Sequence, residues 1–251
     1  MSLIIYKILA AALIFAISLI AVIYPIRARA HPTHHYFLEL GDAFASGIFL
    51  GAALFHMLPD AISHFSQVLG NVQYPLAELF CAGGFLLLVF LERLSGNSSD
   101  HSDSVPYMIA IIIIIHSLIE GTVLGINTTI ATAGIIFLAI IAHKGSESFA
   151  LAVILNRSQL SFKKILALVA TFSFMSPLGI AVGTTMTFYL SSRSGQLATA
   201  GFNAFAAGTF LYMSTLHHIN HHQRSHHGEG LREFLALLVG LCVMAGIAGL
   251  T

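Results

Sequence analysis

The sequence predicts an all-α integral membrane protein of eight transmembrane helices, with both termini on the outer side. Three observations carry this. Only 9% of the 251 residues are charged and 57% are hydrophobic, whereas a soluble domain carries about 25% charge. Mean hydropathy is +0.86. The apolar residues fall into eight runs, each near the ~20 residues that a helix needs to cross the hydrocarbon. The runs are continuous and do not alternate with a period of two, which argues against a β-barrel.

The first run, 3–25, is too long and too poorly flanked for a cleaved leader, and ends in YPIRARAHP. The second, 38–59, closes in HMLPD, and the third, 75–94, ends beside Arg93. The fourth and fifth, 106–129 and 131–155, each hold ionisable residues in mid-run. The sixth, 163–190, contains Pro177; the seventh, 196–217, leads into a histidine cluster; the eighth is 231–251. Short polar segments separate the runs and no soluble domain interrupts them, so 1–251 reads as one transmembrane unit.

Positive charge sets the orientation. Arg27, Arg29, Arg93, Arg157, Lys163, Lys164, Arg224 and Arg232 all fall on one face of an eight-span path, and only Lys7 and Arg193 on the other. The positive-inside rule makes the first face cytoplasmic. The balance of 11 basic and 11 acidic residues leaves no footprint for nucleic acid. Cys81 and Cys242 lie far apart in apolar runs and form no redox or zinc motif. Histidine outnumbers the acids, 14 to 11, which directs attention to metal.

Glu120 and Glu147 lie mid-run, where a charge costs roughly 2.5–3.5 kcal/mol on the insertion scale. Each follows a histidine by four residues, in HSLIE (His116, Glu120) and HKGSE (His143, Glu147). That spacing stacks the two side chains on one helix face. One such pair also serves as an interhelical hydrogen bond or a proton relay. Two pairs on consecutive spans of a His-rich chain favour a divalent ion held by two imidazoles and two carboxylates, zinc above all. The same donors accept Cd²⁺, Fe²⁺, Mn²⁺ and Co²⁺.

Five segments then resemble one family, the ZIP (Zrt/Irt-like) metal-ion transporters, in order along nearly the whole chain. They are ASGIFLGAALFHMLPDA on the second span, IHSLIEGTVLGI on the fourth, HKGSESFALAV on the fifth, SPLGIAVG on the sixth and AFAAGTFLYMSTLHHI on the seventh. The resemblance implies a plasma-membrane carrier of divalent metal, chiefly zinc, into the cytosol, with no organic cofactor. It implies a site on spans four and five, a homodimer in the bilayer, both termini outside, and a four-helix unit of spans one, four, five and six that slides as an elevator. By motif position, His116, Glu120, His143 and Glu147 are the primary ligands. Ser117, Lys144 and Ser176 occupy positions where some members bind a second metal; the replacements imply that this second site is absent or very weak. Proline precedes the motif glutamates in many members, whereas Ile119 and Ser146 stand here, so Gly121 and Gly145 are candidates for bending.

Lys144 has two readings. As an ammonium it has donors only, so it replaces the second cation by charge without coordinating. Alternatively it snorkels away from the apolar centre. His56 and Asp60, four apart, read as entrance ligands or as the polar end of a helix beside Pro59. His217 and His221 share one face and His218 and His222 another, and with His226 and His227 they read as a cytoplasmic exit or buffer. His31, His34 and His35 join them on that face, and His101 is the sole histidine between spans three and four. No P-loop drives transport. An intramembrane zinc-dependent enzyme is disfavoured because H-E-x-x-H and a nucleophile elbow are absent. A cation-diffusion type exporter is disfavoured by the lack of a soluble domain. The remaining alternative is a metal-sensing membrane protein that does not transport.

Overall fold

The computed structural model describes residues 2–28, 35–70, 74–95, 104–158, 160–186, 192–217 and 230–249. All regular structure among them is helical: α1 (Leu3–Ala28), α2 (His35–Ala52), α3 (Leu58–Leu69), α4 (Leu76–Ser95), α5 (Ser104–Ile126), α6 (Ile130–Arg157), α7 (Phe162–Thr185), α8 (Arg193–Tyr212) and α9 (Gly230–Ala248). Two π-helical turns, Ala53–Met57 and Met213–His217, follow α2 and α8. Six helices among the described residues are long and apolar enough to cross a bilayer, spanning 3–27, 39–69, 106–126, 130–156, 162–185 and 230–248. α4 and α8 occupy the third and seventh runs with 20 residues each, and α4 carries Glu78, Glu92 and Arg93.

The second run extends further than hydropathy indicates. The helix passes Pro59 and ends at Leu69, where Gly70 adopts a φ of 73° and its N–H bonds the Ser66 carbonyl. Proline lacks an N–H and clashes with the carbonyl four residues back. The π turn accommodates this: Leu58 N–H reaches back five residues to Ala53 O, and Pro59 falls in the first turn of α3, where no N–H is needed. At the other boundaries α5 stops at Ile126, three residues short of the expected limit. Thr129 then caps α6 by accepting from Thr132 N. α7 stops at Thr185, not at 190.

The helices pack as two groups. α1, α5, α6 and α7 form one; α2 with α3, α4, α8 and α9 form the other. Without a hydrophobic force between helices in lipid, close association relies on small residues. Accordingly, Gly121 lies directly on the Ser176 backbone and Gly179 on that of Leu118, joining α5 to α7. Gly47 and Gly240 join α2 to α9, and Gly84 and Gly208 join α4 to α8. These close backbone approaches are all internal to one group. Gly121 is therefore a packing surface and not a hinge. Gly208→Ala would press a methyl into the Cys81 carbonyl; it is expected to cost about 1–3 kcal/mol, as overpacking does. Thermal unfolding in detergent checks this, with Gly83→Ala, whose Cβ meets nothing within 4 Å, as the neutral control.

Two polar ties hold α1 to its group, one at each end. Lys7 Nζ donates to Gly125 O at the end of α5, where Thr184 Oγ1 also donates at 3.3 Å. Asn156 Nδ2, at the end of α6, donates to Pro25 O at 2.8 Å. Lys7 is thus buried and caps a neighbouring helix, and is not a free surface charge.

Candidate metal site

His116 and Glu120 lie one turn apart on α5, and α6 brings His143 against them. Glu120 Oε1 is 2.5 Å from His143 Nε2 and 3.9 Å from His116 Nε2. One donor atom from each of the three lies within 4.8 Å of the others. Zinc takes nitrogen and oxygen ligands at ~2.0–2.2 Å, so tetrahedral donors sit about 3.4 Å apart. A shift of roughly an ångström would close the group around an ion. All three residues are buried, His143 to 1% exposure. Neither nitrogen of His116 has a hydrogen-bond partner. Buried polar atoms are rarely left so, and an imidazole with free nitrogens facing a carboxylate and a second imidazole suits a cation.

Glu147, the fourth expected ligand, is arranged differently. Its Oε2 accepts from Lys144 Nζ at 2.9 Å, while its Oε1 has no hydrogen-bond partner. The three-residue group therefore forms without it. Lys144 is 0% exposed and is held on four sides. Besides Glu147, it donates to Ser117 Oγ at 2.6 Å, lies 3.5 Å from Glu120 Oε2 and sits 4.3 Å from the centre of the Phe172 ring on α7. The structure thus excludes snorkelling. A lysine between two carboxylates and over an aromatic face is a caged cation. Ser117 serves this cage. Ser176 does not: its Oγ is buried without a hydrogen-bond partner, and its backbone packs on Gly121.

His56 lies on the first π turn. Its Nδ1 is 3.2 Å from Asp60 Oδ2, and the pair is 25% and 50% exposed. On its other side the ring centre is 6.2 Å from that of His143. His56 therefore stands between a half-exposed carboxylate and the buried group. His217 ends the second π turn. His218, His221, His222, His226 and His227 lie outside the described residues, as do His31, His34 and His101.

Phe172 and Phe210 are neighbours that the spacing of charges did not reveal. Phe210 on α8 stands beside His116, with ring centres 5.2 Å apart, and beside Phe49 on α2 at 4.9 Å. Both come from helices without site carboxylates, so no single-helix pattern marks them.

The chain matches the family profile described as ZIP zinc transporter over residues 4–106 and 96–248. It is 29% identical to zinc transporter ZIP1 of Takifugu rubripes over 262 residues, covering 86% of each chain. It is 26% identical to Homo sapiens zinc transporter ZIP1, over 84% of this chain and 78% of that one. With Homo sapiens zinc transporter ZIP2 it shares 28% identity over 75% and 77% of the two chains.

Proposed function

The chain belongs to the ZIP zinc transporter family, and from that premise we propose that it moves zinc into the cytosol through a site built from His116, Glu120, His143 and Glu147. As a member of that family it is a multi-pass membrane transporter and not an enzyme. The observation that carries the site is the convergence of three buried donors, with unpartnered imidazole nitrogens, on helices able to cross a bilayer. Glu147 completes the set through Oε1, leaving Oε2 to Lys144.

In this reading α4 and α8 also span, giving eight crossings with both termini outside the plasma membrane. Zinc arrives at Asp60 and His56, passes to His143 and its neighbours, and leaves toward the histidines that follow α8. Cd²⁺, Fe²⁺, Mn²⁺ and Co²⁺ compete for the same donors. The α1, α5, α6 and α7 group slides as a unit against the other helices. The glycine contacts support this, since among the described residues they lock helices within each group and none bridges the two at backbone distance. Two copies form a dimer in the bilayer. Lys144 supplies the charge of a second cation, so one metal is carried per chain.

The test is uptake of radiolabelled zinc into proteoliposomes against protein-free vesicles. Uptake above the protein-free level supports the reading; tight binding without uptake removes it and leaves a metal sensor. His56→Ala refines the path. It is expected to slow initial uptake about tenfold, the scale of losing a supporting partner at a metal site, with bound zinc per chain unchanged. A fall in bound zinc would move His56 into the central site.

A further inference from the structure

The seam between the two helix groups contains an apolar crevice of about 290 Å³, near the lower end of the ~300–1,000 Å³ of small-ligand clefts. Ala21 of α1, Gly41, Phe44 and Ala45 of α2, and Gly145 and Phe149 of α6 form its walls. We propose that this crevice holds the acyl tail of a membrane phospholipid, wedged between α2 and α6.

The walls exclude water and polar ligands. Ser146 also borders the crevice, but its hydroxyl is spent inside its own helix, donating to His143 O at 2.8 Å. A water needs two to four polar partners, and the walls offer none. The residues are small where the helices come nearest. A Cβ at Gly41 would collide with the Phe149 ring, whereas one at Gly145 meets only Ile17 Cγ2, at 3.6 Å. The hollow therefore exists because 145 carries no side chain.

The surroundings identify the occupant. Ala21 lies seven residues before the end of α1, about 10 Å along the helix at ~1.5 Å per residue and so within one leaflet of the ~30 Å hydrocarbon core. On a neighbouring face of α1, Ile20 and Ile23 are 66% and 44% exposed and face the bilayer. Ala21, Gly41, Phe44, Gly145 and Phe149 are themselves partly exposed, so the crevice opens at the surface of the bundle, where hydrocarbon tails are the apolar matter present at this depth. Gly145 and Phe149 stand on the same turns of α6 as His143, Lys144 and Glu147. A tail seated here touches α6, which carries His143 and Glu147, and α2, which runs into the π turn that carries His56, at the boundary along which the two groups meet.

The test uses the full chain in phosphatidylcholine vesicles containing a share of lipid with a photoreactive diazirine in its tail. After illumination, peptide mapping is expected to find label on Phe44 and Phe149 as well as on exposed Ile20. Gly145→Leu fills the hollow from α6 and Ala21→Phe fills it from α1. Either should abolish label on Phe44 and Phe149 while label on Ile20 persists. Two variants from separate helices keep the test decisive if one does not fold. Label on Ile20 alone in the wild type, or label on Phe44 and Phe149 that survives both fillings, overturns the proposal. So does crosslinking of Phe44 or Phe149 to a second copy of the chain, which would make the seam a protein interface. The labelling readout does not depend on zinc movement, so its failure is separable from failure of the transport reading.

Discussion

Zinc uptake by the Glu120→Ala variant is expected to fall about 100-fold or more, since outer partners of a metal site alone are worth ~10–100-fold and Glu120 touches both imidazoles. The variant should still fold. Removing Glu120 leaves Lys144 paired with Glu147, so no buried charge is stranded. Proteoliposome uptake measures the loss, and an unchanged unfolding temperature in detergent assigns it to the site. If uptake survives, the buried donor group is not on the transport path.

The second expected result concerns the caged lysine. With Glu120 and Glu147 ionised and Lys144 protonated, the site carries a charge of −1 before an ion binds and +1 after. Lys144→Asp changes the cation into a third carboxylate beside Ser117. Without metal, the variant should lose about 3–5 kcal/mol, the scale of breaking a buried ion pair. With zinc it should recover and bind two ions per chain where the parent binds one. Elemental analysis of purified protein gives the ratio, and unfolding with and without chelator gives the stability. A ratio that stays at one would show that Lys144 does not stand in for a cation. Lys144→Arg should keep the ratio at one, because the charge remains.

The parts of this arrangement that were legible in the sequence are those written on a single helix. The repeat of His and Glu four residues apart marks His116 with Glu120 and places His143 at the right level of the next span. Continuous apolar runs mark where α1, α5, α6, α7 and α9 stand. What the sequence hides depends on two or more helices at once. Glu147 has the same local pattern as Glu120, yet it pairs with Lys144, because that lysine is also fixed by Ser117 from α5 and Phe172 from α7. The end of the second span was hidden for another reason. Hydropathy falls after Pro59, but AISHFSQVL retains a helical period that packs Ala61 and Phe65 against the bundle. Proline reads as a stop unless an extra residue is taken up just before it, and no side-chain pattern announces the π turn. In the sequence Lys7 counts only as a charge on the outer face, because sequence position does not show that the end of α5 lies beside it.

The length of α1 has a consequence of its own. At ~1.5 Å per residue, its 26 residues reach about 39 Å, against ~30 Å of hydrocarbon. α6, with 28 residues, is longer still. The surplus is slack. A helix cut to the thickness of the bilayer drags polar ends into oil when it is pushed along the membrane normal, whereas an overlong one only exchanges which apolar turns are submerged. Fastened to α5 and α6 at its two ends, α1 gives its group a greased edge several ångströms taller than the membrane it stands in. For the sliding motion proposed above, bilayer thickness then sets the range: a thicker membrane uses up the slack, and a thinner one leaves more of it.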